Sequence, residues 1–219
     1  MLTVAILSQK GGSGKTTLTA NLAVAAHLKK KSCAVIDLDP QASSTAWGDS
    51  RHGEPIVISA QPARIENVLE TCHRHDADIV FIDTAPHAEN AALMAARAAD
   101  IVLVPCRPSV VDLRAINASA NIAQLAGKPA WVVLNQVPAR GTLAAEAAEA
   151  LESASIDLAP ITLGNRVAYI HAFTEGRGVM EYEPGSKAAD EIRRLLNFII
   201  KSAKEIENGK EKHAQRRTA

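Results

Sequence analysis

Short apolar runs rich in Val and Ile recur along the chain, and they alternate with longer segments in which apolar residues return every three or four positions. The longer segments predict helices. Because the short runs are continuously apolar, both faces of each predicted strand are expected to be buried. We therefore predict an α/β fold with a doubly wound, mainly parallel β-sheet flanked by helices, and ligands at the C-terminal ends of the strands. The predicted strands are Leu2–Leu7, Cys33–Ile36, Ile56–Ile58, Ile79–Ile82, Ile101–Val104, Trp131–Leu134 and Asp157–Ile161.

The last part of the chain predicts one long helix. Gly185 interrupts the preceding pattern, and Ser186 can cap a helix that begins after it. The apolar positions with helical spacing are Ile192, Leu195, Leu196, Ile199, Ile200, Ala203 and Ile206. Residues 208–219 contain no large apolar side chain, so we expect a single domain over 1–207 and a polar, disordered tail over 208–219.

Composition and charge argue against some classes of binding protein. Of 219 residues, 47% are hydrophobic and only 3% aromatic, which argues against a nucleic-acid groove lined with aromatic side chains. The 24 Lys and Arg balance the 24 Asp and Glu, so no overall field attracts DNA or an anionic membrane. The charge is unevenly spread, however, because residues 186–219 carry a net +4 and residues 1–185 a net −4.

The cysteines and the N-terminus favour a cytoplasmic protein. Cys33, Cys72 and Cys106 show no CxxC spacing, which predicts free, buried thiols rather than a zinc site or disulfides. The chain begins without a basic region before its first apolar run, and no stretch approaches the roughly 18 apolar residues of a membrane span. We therefore expect a cytoplasmic location and no membrane partner.

A glycine-rich loop between the first strand and the first helix predicts phosphate binding. Residues 9–17 have the sequence QKGGSGKTT, close to the pattern GxxxxGK[ST] with Gln9 in place of the first glycine. In such a loop backbone N–H groups cradle phosphates, Lys15 reaches the β- and γ-phosphates, and the Thr16 hydroxyl is a ligand of Mg²⁺. The loop therefore predicts nucleotide phosphates and Mg²⁺ as ligands, and the resemblance described next implies that the nucleotide is ATP. The predicted nucleotide-binding residues in this loop are Lys10, Gly11, Gly12, Ser13, Gly14, Lys15, Thr16 and Thr17.

Lys10 gives the loop a second lysine. The segment KGGSGKT resembles the deviant Walker A motif of the ParA/MinD class of P-loop ATPases. The resemblance implies that Lys10 is catalytic together with Lys15, because in that class this lysine reaches across a nucleotide-sandwich dimer to the phosphates of the partner. It therefore also implies an ATP-dependent homodimer.

Three acids follow predicted strands. Residues 35–41 have the sequence VIDLDPQ and resemble the DxDPQ segment of the same class, in which Asp37 and Asp39 should point in opposite directions along an extended chain. By resemblance, Asp39 positions or activates the attacking water and Asp37 belongs to the magnesium shell. Asp83 ends an apolar strand in the manner of a Walker B acid and is expected to hold Mg²⁺ through water.

The functions of several other residues are predicted mainly from the resemblance. Asn135 ends the sixth strand and by resemblance reads adenine, although an Asn that caps the following turn is the alternative. Lys187 lies in the first turn of the last helix, where a cation opposes the helix dipole. By resemblance Lys187 and Arg166 bind DNA without sequence preference, and Arg193 and Arg194 are the next candidates; a merely solvated basic face is the other interpretation.

The predicted function follows from these motifs. Segments 105–115 and 164–192 also look like ParA partition ATPases, and a phosphate loop that begins at residue 9 leaves no room for a preceding helix-turn-helix, as in the short ParF-like plasmid type. The resemblance implies a nucleoid-associated ATPase for plasmid or chromosome partition. Its ATP-bound dimer would bind non-specific double-stranded DNA, and a ParB-like centromere-binding protein would stimulate hydrolysis to ADP and phosphate. The alternatives are a MinD-like ATPase that positions another cargo at a membrane or pole, and a nucleotide-switch adaptor without DNA.

Overall fold

Parallel strands form a central sheet in the computed structural model, which describes residues 1–51, 53–154 and 156–218, without the side chains of 110, 111, 114 and 210–218. The sheet has six strands in this described part, in the order β3-β2-β4-β1-β5-β6, and every neighbouring pair is parallel. The strands are β1 (Leu2–Ile6), β2 (Cys33–Asp37), β3 (Ile56–Ser59), β4 (Ile79–Asp83), β5 (Ile101–Cys106) and β6 (Ala130–Leu134).

Helices cover both faces of the sheet. Successive residues of β1 point to opposite faces, so Val4 lies in one buried cluster with Leu22 and Ile192, whereas Ala5 lies in a second with Ala95 and Ile116. This arrangement confirms the predicted doubly wound α/β fold. The helices are α1 (Lys15–Leu28), α2 (Ser43–Asp49), α3 (Ile65–Arg74), α4 (Glu89–Ala98), α5 (Val110–Ala126), α6 (Leu143–Ser153), α7 (Val167–Thr174), α8 (Val179–Tyr182) and α9 (Lys187–Thr218).

Six of the predicted strands are present, but the prediction of a seventh over Asp157–Ile161 is wrong. This segment runs beside β6, where the Val132 N–H donates to the Asp157 carbonyl and the Ala159 N–H donates to the Val132 carbonyl, both at 2.8 Å. The pairing stops at an isolated bridge between Val132 and Leu158. Pro160 has no N–H to continue a ladder, which accounts for the interruption.

The C-terminal helix begins as the sequence predicts. The Ala189 N–H donates to Ser186 Oγ at 3.1 Å, which confirms the cap. The predicted apolar positions pack on the core, with Ile192 and Ile199 fully buried and Ile206 partly so. The backbone of 208–218 continues α9, where the sequence predicted a tail; its Lys, Glu, Ala, Gln and Arg residues are good helix formers. Residue 219 lies outside the described part.

Cys33, Cys72 and Cys106 are buried free thiols, as predicted. Among the residues that the structure describes, no helix has the length and apolar character needed to cross a membrane.

Candidate nucleotide-binding site

The candidate site lies at the C-terminal ends of β1, β2 and β4, where a loop joins β1 to α1. Gly12 and Gly14 adopt positive φ angles of 75° and 91°. A Cβ atom on Gly14 would lie only 2.2 Å from Nδ2 of Asn135, so glycine is required there for close approach as well as for its backbone conformation. Gly14 has no side chain to cap α1, which leaves the first N–H groups of the helix for an anion.

Lys15 places its charge inside this loop. Its side chain is buried, and Nζ lies 3.3 Å from the Ser8 carbonyl oxygen and 3.5 Å from the Lys10 carbonyl oxygen. Burial lowers the pKa of Lys15, against the opposing effect of the Asp83 and Asp39 carboxylates. The ammonium group therefore lies within the loop, where phosphate binding requires it.

Asp83 joins the loop to α2. Its Oδ2 accepts hydrogen bonds from Thr16 Oγ1 at 2.8 Å and from Ser44 Oγ at 2.7 Å. Burial raises the pKa of Asp83 to about 6, although the hydrogen bonds from Ser44 and Thr16 act in the opposite direction. Its Oδ1 is buried and has no hydrogen-bond partner among the described residues. A buried acceptor of this kind normally has a partner, so the site fits a hydrated cation held beside Thr16.

Asp37 and Asp39 occupy different environments, as their alternation predicts. Asp37 is buried; its Oδ1 accepts from the Asp39 N–H at 3.0 Å, and its Oδ2 accepts from the N–H and the hydroxyl of Thr45, both at 2.8 Å. Asp39 is only partly buried, and its Oδ1 accepts from the Gln41 N–H at 2.9 Å. Asp37 therefore anchors α2, whereas Asp39 is the more accessible carboxylate. The magnesium role of Asp37 stays a prediction.

Lys10 forms an ion pair with Asp112 in the first turn of α5. Its side chain is 30% exposed, while that of Asp112 is 6% exposed. Arg107 donates from Nε to Oδ2 of the same carboxylate at 2.7 Å. Two turns further along α5, Ser119 Oγ accepts from the Gln9 N–H at 3.3 Å. One face of α5 thus contacts the start of the phosphate loop, and sequence reasoning missed both residues, although Asp112 lies in the segment PCRPSVVDLRA.

A cavity of about 320 Å³ adjoins the loop. Its lining includes Gly14, Thr17, Asn135, Asn165, Arg166 and Tyr169. Asn135 is buried, its Nδ2 donates to the Ser13 carbonyl at 2.8 Å, and its Oδ1 accepts from the Gln136 N–H at 2.9 Å. Asn135 therefore supports the phosphate loop, and its predicted contact with adenine stays a prediction.

The predicted DNA-binding residues fall into two groups. Arg166 lines the cavity and binds Glu191 of α9 through both Nη2 and Nε, the latter at 3.3 Å. On α9, Arg193 pairs with Asp190 at 3.2 Å. Lys187 and Arg194 are exposed and form no ion pair with another described residue. Their spacing of seven residues places them on one face of α9, and Glu191, the partner of Arg166, lies between them along the helix.

These features define a P-loop NTPase: a phosphate loop between β1 and α1, a carboxylate at the end of β4, and a parallel, doubly wound sheet. The chain belongs to the CobQ/CobB/MinD/ParA nucleotide-binding family, whose profile matches residues 4–177.

Two curated proteins and one solved structure are similar to this chain along most of its length. It is 28% identical to the maintenance of carboxysome distribution protein A of Halothiobacillus neapolitanus, over 91% of this chain and 97% of that protein. The protein of the same name from Gloeobacter kilaueensis is 31% identical, over 93% of this chain and 88% of that protein. The crystal structure of the cell division ATPase MinD from Pyrococcus furiosus superimposes with a TM-score of 0.72 at 22% identity, covering 91% of this chain and 98% of that chain. This last similarity bears on the fold alone.

Proposed function

We propose that this chain is a Mg²⁺-dependent ParA-type ATPase that positions an intracellular cargo through an ATP-dependent homodimer. The observation that carries the proposal is the pair of lysines in one loop. Lys15 is buried within the loop, whereas Lys10 lies at its outer side and is 30% exposed. Lys15 would serve the phosphates bound in its own loop, whereas Lys10, which here pairs with Asp112, would serve the phosphates of a second subunit after leaving that carboxylate.

The nucleotide phosphates would lie on the N–H groups of residues 11–16 beside Lys15, and the base would enter the adjoining cavity. Thr16 and Asp83 would hold Mg²⁺, Asp83 through water, and the bound ion would neutralise charge on the phosphate oxygens. Asp39 would orient the attacking water, because it is the accessible one of the two acids after β2.

We further propose that the dimer binds non-specific double-stranded DNA and is therefore associated with the nucleoid. Lys187, Arg194 and Lys201 recur every seven residues on exposed positions of α9, and of these Lys201 pairs with Glu205 at 3.7 Å. Lys187 and Arg194, which form no ion pair with another described residue, would carry most of the positive charge of this face. Dimerisation would double this charge, and affinity for a polyanion rises with the number of phosphates contacted.

The cargo has two candidates. The sequence motifs favour a plasmid or chromosome region with a ParB-like centromere-binding partner. The relatives that match along nearly their whole length carry a name that refers to carboxysome distribution, which favours a protein assembly with its own adaptor. The proposed ATPase cycle would serve either cargo, and the two would differ in the partner that stimulates hydrolysis.

The test is ATP turnover with and without DNA. We expect Mg²⁺-dependent release of phosphate, stimulated further by the protein from the neighbouring reading frame. The Lys15→Ala variant should lose nucleotide binding because it leaves the phosphates without their main cation, whereas the exposed Lys29→Ala control should behave as the wild type. Absence of Mg²⁺-ATP binding by the wild type in calorimetry would contradict the proposal. A small DNA-binding partner would support partition, and recruitment to anionic vesicles instead of DNA would support the MinD-like alternative.

A further inference from the structure

Asp112 is shared by two cations. Lys10 contacts its Oδ1, while Arg107 donates from Nε to its Oδ2 at 2.7 Å and from Nη2 to Oδ1 at 3.4 Å. The Asp112 side chain is 6% exposed, and Lys10 and Arg107 are 30% and 37% exposed. These two are the ion-pair partners of Asp112 among the described residues.

Apart from Lys10 and Asp112, the described residues that line the small space beside this cluster are uncharged. The small space beside Asp112 is lined by Ser8, Ser13 and Cys106. Burial raises the pKa of the Cys106 thiol to about 12, so it stays neutral at physiological pH. If Lys10 left the cluster, Arg107 would therefore be the cation that still neutralises the buried carboxylate.

The free energy needed to move Lys10 away from Asp112 depends on Arg107. A buried carboxylate without a partner is strongly unfavourable, whereas one that keeps a hydrogen-bonded guanidinium is not. Arg107 binds mainly through Oδ2, whereas the short contact of Lys10 is with Oδ1, so Arg107 need not move when Lys10 leaves. The Arg107 guanidinium has several N–H donors, and these can also hydrogen-bond to Oδ1 after Lys10 has left it.

We propose that Arg107 is a positioning residue that releases Lys10 from Asp112 for its role in the ATP-bound dimer. The inference rests on the proposed function, because it assumes that Lys10 acts across a dimer. Without Arg107, Lys10 is the remaining ion-pair partner of the buried Asp112 carboxylate among the described residues, and it stays bound to its own subunit. With Arg107, Lys10 exchanges one anionic partner for another, and the carboxylate remains paired throughout.

The Arg107→Gln variant tests this directly. We expect its ATP-dependent dimerisation, measured by analytical ultracentrifugation, to weaken about tenfold or more, since Lys10 must then leave a buried charge unpaired. Its ADP affinity should stay within about threefold of the wild type, because Arg107 is not in the nucleotide-binding loop. Arg107→Lys keeps the charge and should dimerise nearly normally. Arg74→Gln, which removes an exposed arginine on α3, is the matched control.

A second substitution separates this role from a structural one. Adding Asp112→Asn to Arg107→Gln removes the charge that retains Lys10, so dimerisation should recover. Normal dimerisation of Arg107→Gln, or failure of Asp112→Asn to restore it while circular dichroism shows both variants folded, would overturn the inference. A wild type that binds ATP but stays monomeric would instead overturn the proposed dimer, and the role of Arg107 with it.

Discussion

Ser44 and Asp83 are joined by a hydrogen bond of 2.7 Å that ties α2 to the end of β4. The next residue, Thr45, donates to Asp37, and Asp37 and Asp83 are register partners on β2 and β4. Consecutive residues of α2 are thus attached to two carboxylates at the same edge of the sheet. A shift of the Asp83 carboxylate would therefore also act on α2.

This link predicts an effect of Ser44→Ala on cation binding. Loss of the Ser44 hydroxyl frees the Asp83 carboxylate to rotate away from Thr16, so the Mg²⁺ concentration needed for ATP binding should rise about three- to tenfold. The protein should also lose about 1 kcal/mol of stability from the missing hydrogen bond. Calorimetry at graded Mg²⁺ concentrations measures the first effect. Ser43→Ala, at an exposed position of the same helix, is the control. If both variants need the same Mg²⁺ concentration for ATP binding, Ser44 does not hold Asp83 in place for the cation.

The raised pKa of Asp83 predicts a pH dependence of Mg²⁺-nucleotide binding. Because this pKa is about 6 in the folded protein without ligand, the carboxylate becomes protonated as the pH falls below that value. Protons then compete with the cation, so the affinity for Mg²⁺-ATP should fall by up to about tenfold per pH unit between pH 6 and pH 5. Titrations from pH 7.5 to pH 5 should show this slope in the wild type and not in Asp83→Asn.

The same pKa predicts the sign of a stability change. The native Asp83 binds a proton below about pH 6, whereas the ordinary value for an unfolded chain is 3.8. Between these values the folded state holds more protons, so the contribution of Asp83 to stability is greatest at low pH and is lost as the pH rises through about 6. Comparing urea unfolding of the wild type and Asp83→Asn across this range isolates the effect.

The two acids after β2 should respond differently to substitution. Asp39→Ala should bind ATP normally and lose turnover, because an accessible carboxylate that orients water acts mainly in the transition state. Asp37→Ala should instead lower stability by about 2–4 kcal/mol, since three donors, among them the N–H and hydroxyl of Thr45, lose their buried acceptor. Thermal unfolding together with phosphate release distinguishes them. Unchanged hydrolysis by Asp39→Ala at saturating ATP would remove it from the mechanism.

DNA binding should depend on the exposed face of α9. Lys187→Glu and Arg194→Glu should each weaken ATP-dependent binding to unrelated duplexes about tenfold and lower the salt dependence, while sparing dimerisation. Arg166→Glu should act mainly on nucleotide binding, because Arg166 pairs with Glu191 at the cavity. Lys29→Glu at the end of α1 is a charge-matched control. If Lys187→Glu and Lys29→Glu bind DNA equally well, the exposed face of α9 is not the DNA-binding surface.

Local patterns identify the part of the site that lies on strand ends. A glycine-rich loop after β1 and an acid after β4 must meet at one edge of a parallel sheet, so Lys15, Thr16 and Asp83 could be grouped from the sequence. Ser44 and Asp112 could not be grouped with them, because their contacts depend on how α2 and α5 pack across the sheet.

The sequence also does not show which partner a polar residue binds when several are possible. The sequence identifies Asn135 and Arg166 as polar groups near a strand end and a helix start, but it does not show which neighbours they bind. In the folded chain Asn135 binds the Ser13 carbonyl, and Arg166 binds a glutamate 25 residues away. The predicted seventh strand is wrong for a local reason, since a single proline outweighs the apolar character of its neighbours.

The central claim, that Lys10 acts across an ATP-bound dimer, is tested most directly by sedimentation of Lys10→Ala with Mg²⁺-ATP. The wild type should shift from monomer to dimer with ATP and not with ADP. Lys10→Ala should bind ADP within about threefold of the wild type, remain monomeric with ATP, and hydrolyse it at about a tenth of the wild-type rate or less. If Lys10→Ala dimerises and hydrolyses ATP as the wild type does, Lys10 is only a surface lysine paired with Asp112, and the claim is contradicted.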